Sequence, residues 1–209
     1  LGRAITAHRR LARLVAAGEP AREPEVLRAL AAAQIEVGFR RRVALRRVAG
    51  IGTPFACPGR PAVIALPASV ALPRHRLRMV LVHELTHLQQ HDDWWSLGTG
   101  LLRTVLFFHP LYRLAVREFE AASEELCDAA ATGKGSARSY AMCLLDLVRT
   151  DRLAGQVGFS QSGSRLAERL TRIIRTDAGG RPMTRRSLIL AMVIAAGSLA
   201  CISAVDLVD

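Results

Sequence analysis

The feature that most constrains this chain is an uncharged stretch of nineteen residues, Ser187 to Val205 (SLILAMVIAAGSLACISAV). As a helix it would extend about 28 Å, close to the hydrocarbon thickness of a bilayer. It has no polar face, so it reads as a transmembrane helix rather than as a core helix of a soluble domain. Its flanks agree. Arg172, Arg175, Arg181, Arg185 and Arg186 precede it, and only Asp206 and Asp209 follow. By the positive-inside rule, everything before Ser187 is expected on the cytoplasmic side. The expected division is a folded cytoplasmic domain over 1–186, a membrane helix over 187–205 and the start of an extracytoplasmic segment over 206–209. The chain begins at Leu1 with no basic region leading into an apolar run, so no signal peptide is read there. The expectation is an excerpt of a larger membrane protein.

Residues 1–186 suffice for one domain with a sizeable core. The net charge of +11 raises nucleic-acid binding, and the first fifty residues hold eleven Arg against four Glu. No helix-turn-helix, zinc finger or aromatic stacking surface accompanies that charge, so direct nucleic-acid contact is not expected. Attraction to anionic membrane lipid explains it better. Coding bias contributes too, because Lys134 is the one lysine among 29 basic residues. Cys57, Cys127, Cys143 and Cys201 form no CxxC pair, which suits a reducing compartment without a disulfide framework.

Along the chain, Glu23 to Val37 has helical period after a proline and stops at Gly38. Arg42 to Val48 alternates as a strand, and a Gly and Pro cluster follows. Pro61 to Pro67 (PAVIALP) is a short apolar run bracketed by prolines, which remove ladder donors, so an edge strand is expected. A helix from Arg74 to Asp93 carries Leu77, Leu81, Leu85 and Leu88 as one stripe, with Val80, His83, Glu84, His87 and His91 beside it. Trp94 to Tyr112 holds five of the ten aromatic residues and one charge, Arg103. An in-plane membrane helix and an ordinary core helix fit it equally. Further helices are expected over Pro110 to Gly133, Ser139 to Arg149 and Ser164 to Ile174, giving an α+β domain that is mostly helical with a small sheet.

His83, Glu84 and His87 form HELTH, an HExxH motif whose histidines share one face of the helix and can reach one ion. Glu84, one step round, stands where a general base would take a proton from water activated by zinc. A third ligand decides how specific this signal is. The long metzincin motif needs a histidine ten residues after the first, and that position is Asp93. His91 continues the face but lies too far along to close the site, so it is read as a surface residue or one behind the ligands. The better source is EFEAASEELCDAA, with Glu118, Glu120, Glu124, Glu125 and Asp128. Glu124 and Asp128 are four apart, so Glu124 could ligate one zinc ion while Asp128 orients His83 or His87. Glu125 stays open as the alternative to Glu124.

HELTHLQQHDD, FFHPLYRLAVREF and SEELCDAA together resemble the membrane metallopeptidases of the BlaR and MecR sensor-transducer type. PFACPGRPAVIALP, SYAMCLLDLVR and RLAERLTRII extend the likeness from about Val43 onward. The resemblance implies a gluzincin with His83, His87 and Glu124 as ligands, Glu84 catalytic, Asp128 closing an ExxxD element and Asp92 at a position where the family has Asp. It also implies a substrate-binding edge strand at Pro61, Ala62, Val63, Ile64 and Ala65, where main-chain pairing would hold a peptide extended. The implied activity is cleavage of a cytoplasmic protein, a DNA-binding repressor or the chain itself, at the inner (plasma) membrane in signal transduction. A non-catalytic, zinc-stabilised signalling module is the alternative, and self-association stays open. No penicillin-binding sensor domain is read after Val205, so the expectation is that the excerpt omits it or that this homologue senses something else, and the inducing signal stays open.

Overall fold

The computed structural model describes residues 12–69, 71–90, 98–100, 102, 106, 108–133, 137–154 and 163–176. The apolar run Ser187–Val205, His91, Asp92 and nine of the nineteen residues 94–112 lie outside them. Among the described residues no helix is long and apolar enough to cross a membrane.

Helix α1 spans Pro24–Val37, starting on a proline whose missing N–H costs nothing in a first turn. It ends at Gly38, whose φ of 74° is the left-handed value that lets the chain leave the helix. Val26, Ala29, Leu30 and Ala33 form its buried face.

Four strands form one mixed sheet in the order β1 (Glu19–Pro20), β2 (Val43–Val48), β4 (Ala62–Pro67), β3 (Phe55–Cys57). β4 runs parallel to β2, with Val43 opposite Ala62 and Val48 opposite Pro67. It runs antiparallel to β3, with Phe55 opposite Ala65 and Cys57 opposite Val63. The expectation of an edge strand over Pro61–Pro67 is therefore corrected. Val63, Ile64 and Ala65 already pair on both sides. The prolines flank the pairing, because Pro61 precedes the strand and Pro67 ends it, so neither removes an interior donor. The apolar run itself carries the better signal. Ala62, Ile64 and Leu66 enter the main core, while Ala65 joins Val15, Val48 and Ile51 on the opposite face. A strand covered on both faces reads as continuous hydrophobicity, as this one does. The edges of the sheet are β1 and β3.

Helix α2, Arg74–Gln90, is buried at Leu77, at Met79 through Thr86 and at Leu88. It is enclosed by α1, the sheet and the later helices. Its leucine stripe packs with Leu30, Ile64 and Leu66, and each such side chain contributes roughly 1.5–3 kcal/mol on burial. That packing fixes the rotation of α2 and so the direction of its histidines.

Helix α3, Pro110–Thr132, also begins on a proline, and its N-cap His109 accepts a hydrogen bond from the Tyr112 N–H. Phe119, Cys127, Asp128 and Ala131 are its buried positions, facing α2. Helices α4 (Ala137–Ala154) and α5 (Gly163–Thr176) close the bundle, with Tyr140 and Ile173 in the main core. The result is an α+β fold, mostly helical with a small mixed sheet. Cys57, Cys127 and Cys143 are joined by no disulfide among the described residues, and Cys201 lies outside them.

Candidate metal centre

The four-residue step in α2 brings the Nε2 atoms of His83 and His87 to 3.0 Å from each other. Two ring nitrogens this close cannot both present lone pairs without a proton or a cation between them. Glu124, from α3, straddles the pair. Its Oε2 lies 3.8 Å from His83 Nε2 and its Oε1 3.8 Å from His87 Nε2. One turn on, Asp128 places Oδ1 3.2 Å from His83 Nδ1. A proton donated from Nδ1 to that carboxylate leaves Nε2 as the lone-pair nitrogen, which is the tautomer a metal requires.

Two residues that sequence reasoning missed complete the cluster. Tyr140, on α4, donates its hydroxyl to Asp128 Oδ1 at 2.9 Å and lies 3.0 Å from His83 Nδ1. Arg169, on α5, donates from Nε to Asp128 Oδ2 at 2.7 Å and from Nη2 to Oδ1 at 2.6 Å. The same Nη2 lies 3.2 Å from His83 Nε2. A signal for Arg169 did exist. Leu166, Arg169, Leu170 and Ile173 occupy the i, i+3, i+4, i+7 positions of one stripe, so an arginine stands where the helix pattern calls for an apolar residue.

These contacts settle the charges. Burial alone would push the Asp128 carboxyl up, but hydrogen bonds from His83 and Arg169 and the guanidinium charge hold it well below the usual carboxylate range. Burial, reinforced by the Asp128 charge, raises the Tyr140 hydroxyl, which stays protonated as a donor. Burial works against the Arg169 charge, but the Asp128 hydrogen bonds outweigh it and keep the guanidinium charged.

The donor set fits a metal ion. Oε2 of Glu124 is buried without a hydrogen-bond partner, although Arg169 Nη1 stands 2.9 Å away as an ion pair of poor hydrogen-bond direction. A buried carboxylate oxygen left without a hydrogen bond beside two converging imidazoles is a donor atom that a metal ion would satisfy. Among the described residues, ligand atoms within 4.8 Å of one another occur in two groups, His83 with Glu124 and Asp128, and His83 with His87 and Cys127. Cys127, one residue before Asp128, is thus a further donor near the histidines. Glu84 is buried on α2, and Glu125 is half-buried beside Glu124. Pro61 through Ala65 lie in and before the interior strand β4.

No individually curated protein matches the chain. A family model described as BlaR1 peptidase M56 matches residues 3–173, a span that takes in the HELTH helix, the Glu124 to Asp128 turn and Arg169. The chain belongs to the BlaR1 peptidase M56 family of metallopeptidases.

Proposed function

We propose that the chain is a zinc endopeptidase of the gluzincin type, with His83, His87 and Glu124 as ligands and Glu84 as general base. The observation that carries this reading is the convergence of Glu124 on both Nε2 atoms, with Asp128 behind His83. Three protein ligands leave a position open, which is the pattern of catalytic rather than structural zinc. When bound, zinc lowers the pKa of water to about 7 and polarises a carbonyl. Glu84 supplies the complementary proton handling, since its carboxylate takes a proton from water and returns it to the leaving amine. Asp128 and Tyr140 hold the His83 ring in place throughout. Main-chain pairing of an extended substrate belongs to β3, the one of the two terminal strands that packs against α2.

The uncharged run at Ser187–Val205 with its basic flank supports a site on the cytoplasmic side of a membrane. The family's association with the BlaR1 peptidase supports a protein substrate in a signalling pathway. Within that reading the substrate is a cytoplasmic DNA-binding repressor, the chain itself, or both.

Cys127 favours a second reading. If its thiolate joined His83, His87 and Glu124, the four-ligand shell would be closed and the zinc structural. The Glu84→Gln variant separates the two. For the enzyme, zinc content is retained while cleavage of an unfolded protein substrate falls by roughly 10²–10⁴-fold. Cleavage by the variant at the wild-type rate overturns the assignment of Glu84, and zinc-loaded wild type that cleaves nothing favours the closed site.

A further inference from the structure

Glu124 and Asp128 sit one turn apart on α3 and both face His83, so their charges repel unless a cation stands between them. Arg169 is that cation, and it comes from a different helix. Its fork binds Asp128 through two nitrogens, Nε at 2.7 Å and Nη2 at 2.6 Å. The third nitrogen, Nη1, lies 2.9 Å from Glu124 Oε2. Nη2 also donates to the Tyr140 hydroxyl at 3.2 Å. All three nitrogens are engaged, and the side chain is only 14% exposed. One turn along α5, Arg172 Nη1 donates to the Ala121 carbonyl at 3.3 Å, which ties α5 to α3 independently.

We propose that Arg169 is a positioning residue for the metal ligands, setting the Glu124 carboxylate directly and the His83 ring through Asp128. The proposal rests on the metal-centre reading above. A planar guanidinium spans two carboxylates in fixed geometry, whereas a lysine ammonium is a point charge that can satisfy one at a time. The helix bearing Arg169 thus takes part in metal binding although it supplies no ligand.

The test measures zinc affinity of the full chain by competition with a chromogenic chelator, with folding checked by circular dichroism. R169M is expected to bind zinc about 10–100-fold more weakly, the usual effect of losing a group that orients a ligand. R169K should lose affinity to a smaller degree. R172M, which removes the other tie between α5 and α3, should bind as the wild type does. A purely structural role would lower the stability of the metal-free protein and leave zinc affinity unchanged. If R169M does not fold, R169K decides the matter, and failure of R169K to fold would make Arg169 an element of the fold and overturn the proposal. Wild-type affinity in a folded R169M or R169K, or an equal loss in R172M, would overturn it as well. A wild type that binds no zinc would instead remove the metal-centre reading, and the proposal with it.

Discussion

Glu124 and Glu125 are neighbours in sequence but point about 100° apart around their helix, so only one can meet the histidines. Glu124 does, at 3.8 Å from each Nε2. Glu124→Ala should therefore abolish stoichiometric zinc, and Glu125→Ala should leave it intact, as measured by metal analysis after dialysis. Cobalt substitution extends the test to Cys127. With Glu124 as ligand, the wild-type spectrum lacks a thiolate-to-cobalt charge-transfer band, and such a band would make Cys127 the third donor. The four-residue step from Glu124 to Asp128 was legible in sequence because helix geometry alone puts both on one face. Which of the two histidines Asp128 meets was not legible. That depends on how α3 is rotated against α2, which is set by side chains such as Phe119 and Ala131 distributed along the helix.

At the scale of elements, the helices were readable because each has a periodic apolar face and punctuated ends, as with Pro24 and Gly38 around α1. The sheet was less so. β1 and β3 have two and three residues, too few for an alternation to register. The place of β4 was misjudged because bracketing prolines outweighed an apolar run buried on both faces. Two glycines allow a comparison of element ends. At Gly38 an added Cβ meets nothing within 4 Å, so Gly38→Ala costs only the left-handed conformation, about 1 kcal/mol. At Gly18 the same atom would stand 2.9 Å from the Arg47 carbonyl oxygen and 2.7 Å from Val48 Cγ2. Gly18→Ala should destabilise more than Gly38→Ala. Urea unfolding of both variants checks the order, and equal midpoints would contradict the close approach of Gly18 to β2.

Across the whole molecule, the site draws on four helices, and His83 and Arg169 are 86 residues apart. Pattern reading finds motifs within a segment, so HELTH and the Glu124 to Asp128 turn were within its reach. A cluster assembled from α4 and α5 was not, because nothing local links Tyr140 or Arg169 to a histidine so distant in sequence. A ligand that binds only the folded chain stabilises it by mass action, about 2.7 kcal/mol at a hundredfold excess over Kd. Removing zinc with a chelator should lower the Tm of the wild type and of Glu84→Gln alike, and leave Glu124→Ala unmoved. A thermal scan with and without chelator measures this, and an unchanged wild-type Tm would mean that the ion does not link the helices.

Arg169 has one more effect, on which ions the site can choose. Glu124 and Asp128 bring two negative charges, and the guanidinium paired with both cancels one of them. Magnesium and calcium draw their affinity from several anionic oxygens, and here they would find a single net charge facing two imidazole nitrogens. Ions that favour nitrogen donors lose far less by that subtraction. On the proposed metal-centre reading, the same fork would bias the site against magnesium and calcium and towards transition metals.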